Sequence, residues 1–155
     1  MPIPFKAGDM VWTNFPFESS PDRPGPTRHA AVVIGAFEQR SAPKSIAAPI
    51  PRQGMLVGVY TSSQVRKFGD ALPVGVIQVS PDRAASSGNA KPFFIDARIR
   101  AFIPFTGAYF PDIDKPEHGL IGSLDKGLWK KVIEEFQKVN ERHREQIVSV
   151  GPLRP

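Results

Sequence analysis

The hydrophobic pattern of this chain has two regimes: short β-rich runs up to about residue 105, then helical spacing near the C-terminus. Residues 9–15 (DMVWTNF) favour a strand, and the Pro, Ser and Gly of 16–27 end it and open a proline-stiffened loop. Residues 29–37 (HAAVVIGAF) are apolar almost without a break, the pattern of a strand covered on both faces. A second loop is predicted over 38–53, where three prolines and scattered charge interrupt any period. Residues 55–62 (MLVGVYTS) and 75–79 (GVIQV) read as further strands, and 92–105 (PFFIDARIRAFIPF) as one or two more. Five or six short strands joined by irregular loops predict a small barrel.

The period changes after residue 124. Leu128, Val132, Phe136 and Val139 recur at helical spacing, Ile133 widens the stripe, and Lys130, Lys131, Glu134, Glu135, Lys138 and Glu141 fall on other faces. Asp125 is suited to cap a helix over about 126–144, weakened in its first turn by Gly127. Its apolar stripe should dock on the barrel and its charged face should meet solvent. The prediction is a single domain over 1–155, with a barrel over about 5–105, the helix within 125–144 and a loose tail at 150–155. The matching fragments Pro21-Asp22-Arg23 and Pro81-Asp82-Arg83 are turn pieces, too short to mark a repeat.

Length and composition narrow the chemistry. The 155 residues suffice for one core, and the absence of cysteine excludes disulfides, thiolate catalysis and Cys-built metal sites. No stretch approaches the roughly 18 uninterrupted apolar residues of a membrane span, and residues 1–9 lack a signal-peptide core, so a cytoplasmic protein is expected. Residues 1–105 carry 12 Lys/Arg against 7 Asp/Glu, whereas residues 106–155 carry 8 of each, so the net +5 resides in the predicted barrel. A basic body suits a polyanion such as nucleic acid. His29, His118 and His143 form no metal-binding pair, and no phosphate-cradling Gly loop or GxSxG elbow is present. Chemistry must therefore come from Arg, Thr, Ser, Asp, Glu or a lone His.

Three blocks then fall into a familiar order: GDMVWTNFPF (8–17), RHAAVVI (28–34) and VYTSS (59–63). They resemble the GD-V-W-x-x-F, R-P-x-x-V-V and P-x-T-S blocks of MazF/PemK toxins, and FFIDARIRAF (93–102) is similar to that family's later acidic strand. The resemblance implies an SH3-like β-barrel with a C-terminal amphipathic helix, the MazF/PemK/CcdB-like toxin fold, in a mainly β (α+β) class. The chain departs from the pattern in four places. His29 stands where the family has proline, Phe94 where some members have Arg, the 38–53 loop is long, and 106–122 reads as an insertion before the helix.

Members of that family cut single-stranded RNA without metal or cofactor, leaving a 2′,3′-cyclic phosphate and a 5′-hydroxyl. By resemblance Arg28 and Thr61 are catalytic, the guanidinium gripping phosphate oxygens and the hydroxyl donating to one of them. Ser62 is a helper beside Thr61. The general base is left between Asp96, at the family's acidic position, and His29, whose imidazole suits proton transfer near neutrality. Phe17 could stack on a base, and His29 and Arg98 complete the substrate-binding set. Each catalytic candidate has a bland rival, a solvated Arg, a turn Thr-Ser or an Asp that neutralises a neighbour, and Trp12, which could stack as Phe17 does, reads as core from its place inside a strand. The resemblance further implies an antitoxin partner and a homodimer. The alternative is a non-catalytic barrel, either a gyrase-poison-like toxin or an inactive relative.

Overall fold

The computed structural model describes residues 3–38, 54–64, 68–69, 71–86, 88 and 91–155, so all of the predicted 38–53 loop except Glu38 lies outside the described residues. The elements are β1 (Asp9–Thr13), β2 (His29–Glu38), β3 (Gly54–Ser62), β4 (Val76–Val79), α1 (Pro81–Ser86), β5 (Phe93–Pro104), β6 (Leu120–Ser123), α2 (Lys126–Arg142), a 3-10 turn (Arg144–Gln146) and β7 (Val148–Val150). The class is mainly β with one long helix. One seven-stranded sheet runs in the order β4-β5-β3-β2-β1-β6, with β7 added alongside β5. All pairings are antiparallel except β5 with β7. Among the described residues this path is open, with no ladder returning from β6 to β4.

Strand β5 bends the sheet. Phe94 to Asp96 pair β3 on one side and β4 on the other, whereas the second half pairs β3 and β7. Between the halves the register against β3 jumps from Tyr60 opposite Asp96 to Val59 opposite Arg100. Further shifts interrupt β1–β6 and β2–β3, and such irregularities kink a strand and increase its twist.

The two faces carry separate cores, which explains the unbroken apolar run of β2. Val33 and Ala31 pack into one with Phe5, Phe15, Ile103 and Phe110. Val32 packs into the other with Met10, Val59, Ile95 and the helical Leu128 and Val132. Each fully buried Val, Leu, Ile or Phe contributes about 1.5–3 kcal/mol.

Helix α2 begins where its sequence indicates: the Asp125 carboxylate accepts from Leu128 N at 2.8 Å. Arg100, buried between β5 and α2, donates to the Ala97 carbonyl at 2.8 Å, the Phe136 carbonyl at 3.2 Å and the Asn140 side chain. Its guanidinium lies 3.7 Å from the centre of the Phe136 ring. Burial without a carboxylate partner at these bonds pushes its pKa down to about 10. Among the described residues, no helix is long and apolar enough to cross a membrane.

The C-terminal tail differs from expectation. Instead of being loose, Val148–Val150 form β7, Val150 is 1 % exposed, and beyond it Gly151 N donates to Pro21 O at 2.6 Å and Leu153 N to Phe102 O at 3.1 Å. Gly151 has φ +100°, and a Cβ there would stand 2.3 Å from the Phe102 oxygen, so the chain can close on β5 only through glycine. Residues 106–119 pack onto the sheet: Tyr109 and Phe110 enter the first core, and backbone bonds run from Trp12 N in β1 to Gly119 O (2.9 Å) and from Asn14 N just after it to Tyr109 O (2.7 Å).

Candidate functional site

Arg28 is the last residue of the loop before β2, and Thr61 lies near the end of β3, two elements joined by a ladder with Ala31 opposite Tyr60. That register brings both residues to one surface concavity of about 220 Å³, with Trp12, Ser63, Lys91 and Phe93 among its other lining residues. Arg28 and Lys91 carry positive charge, and among the described residues no carboxylate lines the wall.

The Arg28 side chain is 52 % exposed yet restrained on two sides. Its guanidinium carbon lies 4.6 Å from the centre of the Trp12 ring, and Nη1 donates to Asp112 Oδ2 at 3.1 Å. Thr61 is buried, and its hydroxyl donates to the Ala30 carbonyl at 2.6 Å. At rest its oxygen therefore presents lone pairs, and donation to a bound group requires rotation about the Cβ–Oγ1 bond.

His29 lines both this concavity and a larger neighbour of about 380 Å³. Its ring stacks on Tyr60, centroids 4.7 Å apart and 5° from parallel, and Nε2 contacts the Thr61 carbonyl. A carbonyl only accepts, so this contact assigns the neutral ring's proton to Nε2 and leaves Nδ1 as the basic nitrogen. Phe15, Phe17 and Tyr60 form aromatic walls of the larger concavity, Ile99, Val148 and Val150 give it an apolar side, and Glu18 and Thr27 add polar groups. Phe17 is 54 % exposed. The loop carrying it folds back tightly: Gly25 N donates to Asn14 O at 3.0 Å, and a Cβ on Gly25 would stand 2.2 Å from the Phe15 oxygen.

No family model matches the chain, and no curated protein matches it. The reading of the site therefore rests on its own geometry.

That geometry separates the residues singled out from the sequence. Arg28, His29 and Thr61 meet at the small concavity, and His29 and Phe17 at the large one. Asp96 and Arg98 line neither. The Asp96 carboxylate accepts from Arg98 Nε at 2.9 Å and Nη2 at 2.8 Å, so both its oxygens are engaged. The Arg98 guanidinium is held there in turn, its pKa raised chiefly by that hydrogen bond.

Ser62 accepts from Gln64 N at 3.2 Å and is not among the residues lining either concavity, whereas Ser63 lines the small one with Thr61. Strand pleating was the available signal, since alternate residues share a face and neighbours do not. Trp12 lines the site although its sequence context suggested core. Lys91 and Asp112 come from segments distant in sequence and carry no local signature. Among the described residues, no three His, Cys, Asp or Glu side chains cluster as a metal ion requires.

Proposed function

We propose that this chain is a MazF/PemK-like toxin, a metal-independent endoribonuclease that cuts single-stranded RNA by attack of the 2′-hydroxyl on the adjacent phosphate. The observation that carries the reading is the meeting of Arg28 and Thr61 in one concavity, with no carboxylate among its described lining residues. A scissile phosphate there meets Arg28, whose planar fork can hold two oxygens, with Lys91 adding charge.

His29 Nδ1 takes the 2′-hydroxyl proton, the 2′-oxygen bonds to phosphorus as the bond to the 5′-oxygen breaks, and the leaving oxygen takes a proton from solvent, to which His29 returns the one it accepted. The ends are a 2′,3′-cyclic phosphate and a 5′-hydroxyl, and no water is consumed. Arg28, with the Thr61 and Ser63 hydroxyls turned inward, stabilises the phosphorane charge. We assign the base role to His29 rather than Asp96 because His29 adjoins the gap, whereas Asp96 is engaged by Arg98. The larger concavity receives a flanking base against Phe17 and the His29–Tyr60 stack. On this reading the bent sheet is the family's SH3-like barrel, the protein acts in the cytoplasm as a homodimer, and a small antitoxin is its cognate partner.

The test is purified protein with single-stranded RNA in EDTA and mapping of the product ends. Discrete cuts bearing cyclic phosphate are expected, with Arg28→Lys slowing them about 100-fold. RNA left uncut would favour the non-catalytic alternative, and a 3′-hydroxyl end would exclude this mechanism.

A further inference from the structure

Arg28 needs a fixed direction if its fork is to meet a phosphate, and nothing in its own loop supplies one. The segment after β5 does. It is fastened along β1 at two points, by Thr13 Oγ1 to Tyr109 O (2.7 Å) with Asn14 N to the same oxygen (2.7 Å), and by Trp12 N to Gly119 O (2.9 Å). Between these ties lies Asp112, its side chain 8 % exposed, with Oδ2 on Arg28 Nη1 at 3.1 Å and Oδ1 on Lys115 Nζ at 3.0 Å.

We infer that Asp112 is a positioning residue for the reaction proposed above: it holds the Arg28 guanidinium across the Trp12 face so that the remaining N–H donors point at the phosphate site. The inference rests on that reaction and adds to it a residue 84 positions away in sequence. The clamp is directional on both sides. Trp12 fixes the plane of the fork, and Asp112 fixes which edge is occupied. An exposed arginine without them would sample many rotamers, and misplacing a reacting group by about 1 Å can cost about 100-fold in rate. Lys115 first, and Arg28 after it, hold the Asp112 carboxyl below its ordinary pKa against the opposing effect of burial, so it is ionised across the range in which RNA would be assayed.

The experiment compares Asp112→Ala and Asp112→Asn in the parent and in Arg28→Ala, reading kcat and KM for metal-free RNA cleavage. In the parent, Asp112→Ala should lower kcat about 10- to 100-fold with KM near the parental value. Asp112→Asn, which keeps an acceptor for Arg28, should recover most of that loss. In Arg28→Ala the same Asp112→Ala change should add nothing. A parental kcat in Asp112→Ala, or an equal loss in the Arg28→Ala background, overturns the inference.

Relaxation of the Arg28 Nε–Hε group by NMR separates this from failure of the nuclease reading, because it needs no RNA. A rigid guanidinium in the parent that becomes mobile in Asp112→Ala supports the clamp even if no RNA is cut. Equal mobility in both proteins defeats it.

Discussion

On the proposed mechanism, Thr61 combines a structural bond with a chemical role in one hydroxyl. Its proton rests on the Ala30 carbonyl at 2.6 Å, and releasing it costs about 1 kcal/mol, a small penalty against the gain from one aligned donor in a transition state. Thr61→Val removes both functions. We expect it to lower stability by about 1 kcal/mol, read from the urea midpoint, and cleavage by about 100-fold. Thr61→Ser should retain most of both. If Thr61→Val lost stability but cleaved at the parental rate, the hydroxyl would be structural only. Arg28 offers the contrast: its side chain is half exposed, so replacing it should change stability by no more than about 0.5 kcal/mol.

At the level of elements, local chemistry accounts for what the sequence made legible. Helix α2 was readable because cap, stripe and charged face all lie within one turn or two of each other, and the observed Lys126–Arg142 follows them, ending at the His143 cap. Asp125→Ala should cost about 1 kcal/mol in chemical denaturation, since Leu128 N then loses its acceptor, while activity per folded molecule stays unchanged. The Asp125–Arg83 pair, 3.2 Å apart and more than a third exposed on both sides, adds little to that figure. An equal midpoint in Asp125→Ala would count against the cap. Strands β6 and β7 went unread because neither stands out from its surroundings: Leu120–Ser123 overlaps a segment that reads as an insertion, and Val148–Val150 runs into one that reads as a tail. They exist because β1 and β5 offer edges to them. Ser62 and Ser63 show the same limit at the end of β3: the sequence singles out Ser62, the last strand residue, but the fold places Ser63 beside Thr61 in the concavity.

Across the whole molecule the sheet separates two cores. Arg28 and Thr61 stand in ordered blocks of sequence that single them out, whereas Asp112 meets Arg28 only through the fold and carries no such signature. The same partition sets the response to alkali. Tyr60 and Tyr109 border the first core; burial raises both pKa values above 10.0, with Asp96 adding to Tyr60 and Asp22 to Tyr109. A raised folded-state value means that the tyrosines' contribution is fully present below about pH 10 and is lost as pH climbs through the folded values. Arg100 acts in the opposite sense. Its value is lowered to about 10, so from there up to the ordinary arginine value the unfolded chain holds the extra proton and stability rises with pH. The two effects oppose each other above pH 10, and Tyr60→Phe with Tyr109→Phe isolates the tyrosine share. The double variant should lose less stability than the parent between pH 9 and pH 11 in thermal melts, scaled to pH 7. Parallel curves would mean that neither phenol is protected by the core.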